Sequence, residues 1–263
     1  MKKRIVAMLL AAALCLGLCS CRGSGRYRVV KDLGSQEYSI GLRNGDSNYY
    51  YIDAALKELA YDGTVSKLSA KWFGDADAVE FKAEKGALSQ YEYIAPRDFI
   101  IGCDVNSHPL CFEYAGGYTG FDVELAQAVC EKLGWAIKIQ PIESEDAYVE
   151  LNSGNVDCVW GGIVLTADAE YTVLSTYMKA NVVIAGLSDN GGSLRNKIMY
   201  VSTSGDDMAY IEANERIQKK LGGITRIQGT GNELFVCLDK GDCQLIVTTD
   251  MAVDYFNSHV GQQ

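Results

Sequence analysis

The chain contains no Cys-x-x-Cys pair, no lysine-rich run, no heptad repeat and no low-complexity tract. Beyond the first 18 residues it also lacks a second long apolar stretch. Without closely spaced cysteines, a zinc finger or ribbon has no local ligand set. With 24 Lys and Arg against 34 Asp and Glu, the formal charge of −10 disfavours nucleic acid and anionic lipid as partners. With no further apolar run, no later segment is expected to cross a bilayer.

What is present begins with a targeting pattern. Lys2, Lys3 and Arg4 precede an apolar run from Ile5 to Leu18, too short to span a bilayer comfortably, and then Leu18-Cys19-Ser20-Cys21. This resembles a lipoprotein signal with Cys21 as the acylated residue; plain secretion and an uncleaved anchor are the alternatives. Loss of the three basic residues leaves 21 positive against 34 negative side chains, a net charge of about −13. With no polybasic patch beside it, an acyl chain holds the membrane through lipid alone. Of nine cysteines, six follow the signal: Cys103, Cys111, Cys130, Cys158, Cys237 and Cys243. Cys130, Cys158 and Cys237 sit among apolar neighbours, where a free thiol acts as a small hydrophobe. Spacing alone assigns no disulfide pairing.

Roughly 240 residues beyond the signal, 48% apolar over the whole chain, suit one two-lobed domain or two small ones. Asp46 or Ser47 can cap a helix whose Ile52, Ala55, Leu56, Leu59 and Ala60 share one face, and Gly63 ends it. Thr64 opens a second helix, with Val65, Leu68 and Trp72 inward, that stops at Gly74. Residues 75–98 are charged and weakly periodic, the character of a tether.

From Phe99 strand and helix patterns alternate. Strands are expected at 99–103, 135–139, 156–160, 198–201, 225–227 and 245–248. Helices are expected at 121–133, 144–152, 206–221, 232–238 and from Asp250. Such alternation implies a mostly parallel α/β sheet. An internal echo, LNSGNVDC at 151–158 and LDKGDCQL at 238–245, repeats one plan in both halves. In each, Leu closes a helix face, Gly supplies the left-handed cap and an apolar strand follows.

Three segments carry a family resemblance: GYTGFDVELAQAVCEKLGW at 117–135, ELNSGNVDCVWGG at 150–162, and IGLRNGD with ALKELAYDGTVSKLSAKWFG within 40–74. Together they resemble bacterial solute-binding protein family 3, the amino-acid-type substrate-binding lipoproteins of ABC transporters. The resemblance implies an α/β, two-lobed type II periplasmic-binding-protein fold, with a mixed, mostly parallel sheet in each lobe and two crossing hinge strands. The segment that resembles the family's closing part, residues 38–74, stands ahead of the one that resembles its opening part, at Phe99. That order implies a circular permutation. The expected parts are the signal (1–21), lobe 2 (22–38), a hinge strand with lobe 1 helices (39–74), a linker (75–98), lobe 1 (99–182), and hinge with lobe 2 (183–263).

By the same resemblance the ligand contacts would be His108, Trp160, Gly161, Gly162, Thr166, Ser204, Thr249 and Asp250. His108 stands where the family has a stacking ring, and Gly161 and Gly162 on the strand-exit loop that lines its cleft. The arginine that the family places after Thr166 is missing, and Asp168 and Glu170 flank the position. Thr249 aligns with the family's amine-binding Asp, and Asp250 comes one residue late. Asp206 and Asp207 face either the cleft or only their own helix dipole. The implied function is an extracytoplasmic, membrane-anchored monomer that delivers a small polar or cationic amino-acid-like solute to an ABC permease, with no cofactor, metal or nucleic acid. A degenerate receptor without a transport ligand is one alternative. A dehydratase or lytic enzyme on the same fold, with Glu113, Asp168, Glu170 or Asp206 as its acid, is the other.

Overall fold

The structure, a computed structural model, describes residues 25–165, 170–203, 207–228 and 231–259, apart from the side chain of Ser175. It opens with a 17-residue strand, β1 (Tyr27–Arg43), followed by α1 (Asn48–Tyr61) and α2 (Thr64–Phe73). The next elements are β2 (Asp98–Cys103), a small sheet of β3 (Asn106–Ser107), β4 (Cys111–Tyr114) and β5 (Gly117–Thr119), then α3 (Phe121–Leu133) and β6 (Ala136–Pro141). After α4 (Ala147–Ser153) and β7 (Cys158–Val159) comes a second 17-residue strand, β8 (Tyr171–Leu187). The remainder is β9 (Ile198–Ser202), α5 (Asp207–Glu212), α6 (Glu215–Gln218), β10 (Gly223–Ile227), α7 (Gly231–Lys240), β11 (Leu245–Thr249) and α8 (Asp250–Ser258).

The two long strands organise the molecule. They pair antiparallel from Tyr27 opposite Leu187 to Arg43 opposite Tyr171. The main sheet has the order β10-β9-β11-β8-β1-β7-β2-β6, so β1 and β8 lie at its centre and run through both lobes. To one side β2 pairs parallel with β6 and β7; to the other β9 pairs parallel with β10 and β11. The β-branched run Val182, Val183, Ile184 is buried on both sheet faces, which is what a central strand covered by helices requires.

Lobe 1 buries Ile52, Leu56 and Leu59 of α1 and Phe121, Leu125 and Val129 of α3 against Phe99 and Ile101 of β2. Lobe 2 packs Phe235, Leu238, Val253 and Phe256 on one sheet face and Met199, Val201, Ile211 and Ile217 on the other. The start of β1 belongs to lobe 2. Tyr27 meets Phe235 edge-on at 4.8 Å, and its backbone exchanges two 2.9 Å hydrogen bonds with the Asn257 side chain. The N-terminal end of β1 and the C-terminal end of α8 are therefore neighbours.

Two expectations change. Residues 75–98 form a packed strap: Val79 and Ala87 are buried, Phe81 stacks on Tyr177 at 5.6 Å, and the Glu80 amide donates to the Tyr177 carbonyl. Its apolar residues are too widely spaced to show a period, yet Val79, Phe81, Leu88 and Ile94 pack against the lobe 1 core. The single helix expected over 206–221 is two, because the Asn214 side chain accepts from the Ile217 amide and starts a new helix. Cys103, Cys111, Cys130, Cys158, Cys237 and Cys243 are all free thiols.

Candidate functional site

Parallel strands from both lobes end at one cleft, the place where open α/β sheets hold ligands. The cleft encloses about 380 Å³, a size suited to a small molecule. Gln36 and Tyr38 of β1 form its floor. Lobe 1 contributes Asp104, Asn106, Ser107, His108, Ser144, Glu145, Gly162 and Val164. Lobe 2 contributes Ser202, Asp207, Tyr210 and Gly231, the apolar Leu234, Phe235 and Phe256, and Thr248 and Thr249 at the end of β11.

Asp104 is the first residue after β2 and is only 8% exposed. Its Oδ1 accepts the Asn106 amide at 2.9 Å, and its Oδ2 accepts the Ser144 hydroxyl at 3.1 Å. Burial pushes its carboxyl above the usual range. With Glu145 and Asp207 it gives the described lining three carboxyl side chains, and that lining holds no lysine or arginine. Carboxylates so placed, when ionised, suit a cation.

Gly162 shapes the lobe 1 wall. Its φ is +73°, and a Cβ there would lie 2.1 Å from that of Ser107, so only glycine fits. Its amide donates to Oδ2 of Asp122 at 3.1 Å. Asp122, in the first turn of α3, is 1% exposed and also accepts the Tyr177 hydroxyl, at 2.7 and 2.8 Å to its two oxygens. Burial pushes this carboxyl up to about 7 against those hydrogen bonds.

His108 lines the cleft, but its ring stacks on Phe112 at 4.0 Å and meets Phe256 of lobe 2 at 5.3 Å. Desolvation lowers its pKa to about 4, so it is a neutral ring in an interlobe aromatic cluster. That cluster extends to Trp72, stacked on Tyr255 at 6.1 Å, beside a second hollow of about 460 Å³. Trp160 is buried behind the lining, and Gly161 packs against Cys103 rather than on the cleft surface. Thr249 lines the cleft and caps α8, its hydroxyl accepting from the Ala252 amide at 3.3 Å.

Asp250 lies outside the lining. Its carboxylate accepts the Asn181 amide at 3.0 Å and the Asn181 side chain at 2.7 Å, which ties α8 to β8. Because β11 runs to Thr249, Asp250 is the first helical residue and turns toward the hinge. Glu113 and Glu170 are exposed and also outside the lining. Thr166, Asp168, Ser204, Asp206 and Cys21 lie outside the described residues.

Sequence reasoning passed over Asp104, Ser107, Ser144, Glu145 and the floor residues Gln36 and Tyr38. For Asp104 a signal existed, since an acid directly after a parallel strand sits at the ligand end of the sheet.

Residues 99–254 match the family described as bacterial extracellular solute-binding proteins, family 3. The chain is 30% identical over 97 residues to the arginine-binding extracellular protein ArtP of Bacillus subtilis (strain 168), covering 36% of this chain and 38% of that protein. It is 27% identical over 92 residues to the probable amino-acid-binding protein YxeM of the same organism, covering 34% and 35%. The matched stretches thus span less than half the length of these relatives. An ABC uptake transporter substrate-binding protein from Streptococcus pneumoniae, solved with bound histidine, is similar at a TM-score of 0.53 and 26% identity, over 62% of this chain and 70% of that one. No helix among the described residues is long and apolar enough to cross a membrane.

Proposed function

Because the chain belongs to the bacterial extracellular solute-binding proteins of family 3, we propose that it captures a cationic amino acid or a related amine between its lobes. In this reading it presents that solute to an ABC permease. The observation that carries the reading is the described cleft lining, with three carboxyl side chains and no lysine or arginine. A carboxylate and a cation 4 Å apart attract by about 4 kcal/mol at an effective dielectric of about 20, far more than in bulk water. Asp104 is the principal partner, since Asn106 and Ser144 hold its orientation while it faces the cleft. The arginine-binding relative agrees with a cation-accepting cleft, and the histidine-bound neighbour with one of amino-acid size.

The same reading places the protein outside the cytoplasm as a lipid-anchored monomer attached through Cys21. It also takes the element order as a circular permutation. Three features support that order: the family match starts at residue 99, α1 packs beside α3 in lobe 1, and Tyr27 bonds Asn257 near the far end of the chain.

A thermal-shift panel tests the function. Arginine, lysine, ornithine and putrescine are set against glutamate, aspartate and leucine. A cation at about a hundred times its Kd adds about 2.7 kcal/mol of stability, a rise in Tm of several degrees. Stabilisation by cations alone is expected; stabilisation by the acids, or by nothing on the panel, contradicts the reading.

A further inference from the structure

The buried carboxyl of Asp122 bonds to two separate segments of the chain. One contact is the Gly162 amide, which sets the loop on the cleft wall; the other is the hydroxyl of Tyr177, on hinge strand β8. The Tyr177 ring is held by stacking on Phe81 at 5.6 Å and on Phe121 at 6.4 Å. The next residue, Met178, pairs with Tyr38 on the cleft floor. An ionised carboxylate only accepts hydrogen bonds, so it grips both donors, and charge-assisted bonds are roughly twice as strong as neutral ones. A protonated carboxyl must donate one of its own bonds, which weakens its hold on Gly162.

We propose that Asp122 is the positioning residue that couples hinge strand β8 to the cleft loop at Gly162, so that its protonation loosens the loop and weakens solute capture. This regulation rests on the cation-capture reading. The titratable groups that face Asp122 are Tyr177 on β8, Tyr38 on β1 and Cys103 at the end of β2. Burial raises the pKa of both tyrosines, and the neighbouring Cys111 together with burial raises that of Cys103. All three therefore stay protonated near neutrality, and the carboxyl, at about 7, is the group that changes charge there.

The linkage has opposite signs for stability and binding. A raised carboxyl pKa means that this group's contribution to stability is complete below the ordinary value of 3.8 and is lost as pH rises through about 7. Solute capture instead strengthens over the upper part of that range, as the ionised form grips Gly162.

The test uses the full chain, the variants Asp122→Asn and Tyr177→Phe, and arginine as the probe. Calorimetry on the wild type should give arginine affinity at least threefold weaker at pH 6 than at pH 8, a slope that Asp122→Asn removes while still binding. Without any ligand, the Gly162 amide NMR signal of the wild type should titrate with a midpoint near 7, and that of Asp122→Asn should not. Should Asp122→Asn not fold, Tyr177→Phe decides: loss of a donor to the carboxylate should move the Gly162 midpoint upward. An unchanged pH slope in Asp122→Asn, a Gly162 amide that does not titrate in the wild type, or an unmoved midpoint in Tyr177→Phe overturns the proposal. Failure of arginine to bind at any pH counts against the cation reading, and the ligand-free Gly162 signal still decides the coupling.

Discussion

Asp104→Asn is expected to lower the affinity for arginine by about 30-fold or more without unfolding the protein. The substituted amide keeps an oxygen for the Asn106 amide but loses the charge facing the cleft. Removing one partner of a desolvated charge pair costs about 2–5 kcal/mol, and the lower end corresponds to about 30-fold. The free protein should be at least as stable as the wild type at neutral pH, since burial already penalises ionisation of Asp104. Glu145→Gln supplies the contrast. Glu145 is exposed, so its effect should be within about tenfold and should fade as salt is added. Calorimetric titration of both variants checks the pair; wild-type affinity in Asp104→Asn would remove the main support for a cation site.

The second large effect concerns chain order. A chain reordered to open at Phe99, run to His259 and continue through a short linker into Gly25 and on to Asp98 should fold with an unchanged ligand profile and a Tm within a few degrees. Short flexible linkers add little closure entropy, and Tyr27 already bonds Asn257. A chain that starts at Asn44 should not fold. It lacks β1, which pairs with β8 on one side and β7 on the other and buries Tyr38, Ile40 and Leu42. Each of those side chains contributes about 1.5–3 kcal/mol by burial, so together they rival the about 5–15 kcal/mol of a whole domain. Circular dichroism and limited proteolysis read both outcomes. Cooperative folding without β1, or collapse of the reordered chain, would refute the proposed order.

Local signals were legible in the sequence where they were self-contained. The helix at 121–133 has glycine at both flanks and a clean apolar face, and its observed ends are the expected ones. The break at Asn214 was hidden because a cap inside a periodic stretch reads as one more polar residue. The strap at 75–98 was hidden because its order comes from packing against lobe 1 rather than from its own pattern.

The cleft shows the same division. The family resemblance pointed to Gly162 and Thr249, and both line the cleft. Asp250 was misplaced by a single residue of strand length, enough to turn its carboxylate from the cleft to Asn181. Nothing local in the sequence singles out Asp122, because its defining partner, Tyr177, stands 55 residues away. Periodicity carries no information about pairs of that kind.

The most direct test of the account compares arginine with citrulline, which keeps the side-chain length but replaces the charged guanidinium by a neutral urea group. Calorimetry on the wild-type protein at pH 8 should show arginine binding at least tenfold more tightly than citrulline, with the difference shrinking in Asp104→Asn. Equal binding of the two, or tighter binding of citrulline, would contradict a cleft built to hold a cation.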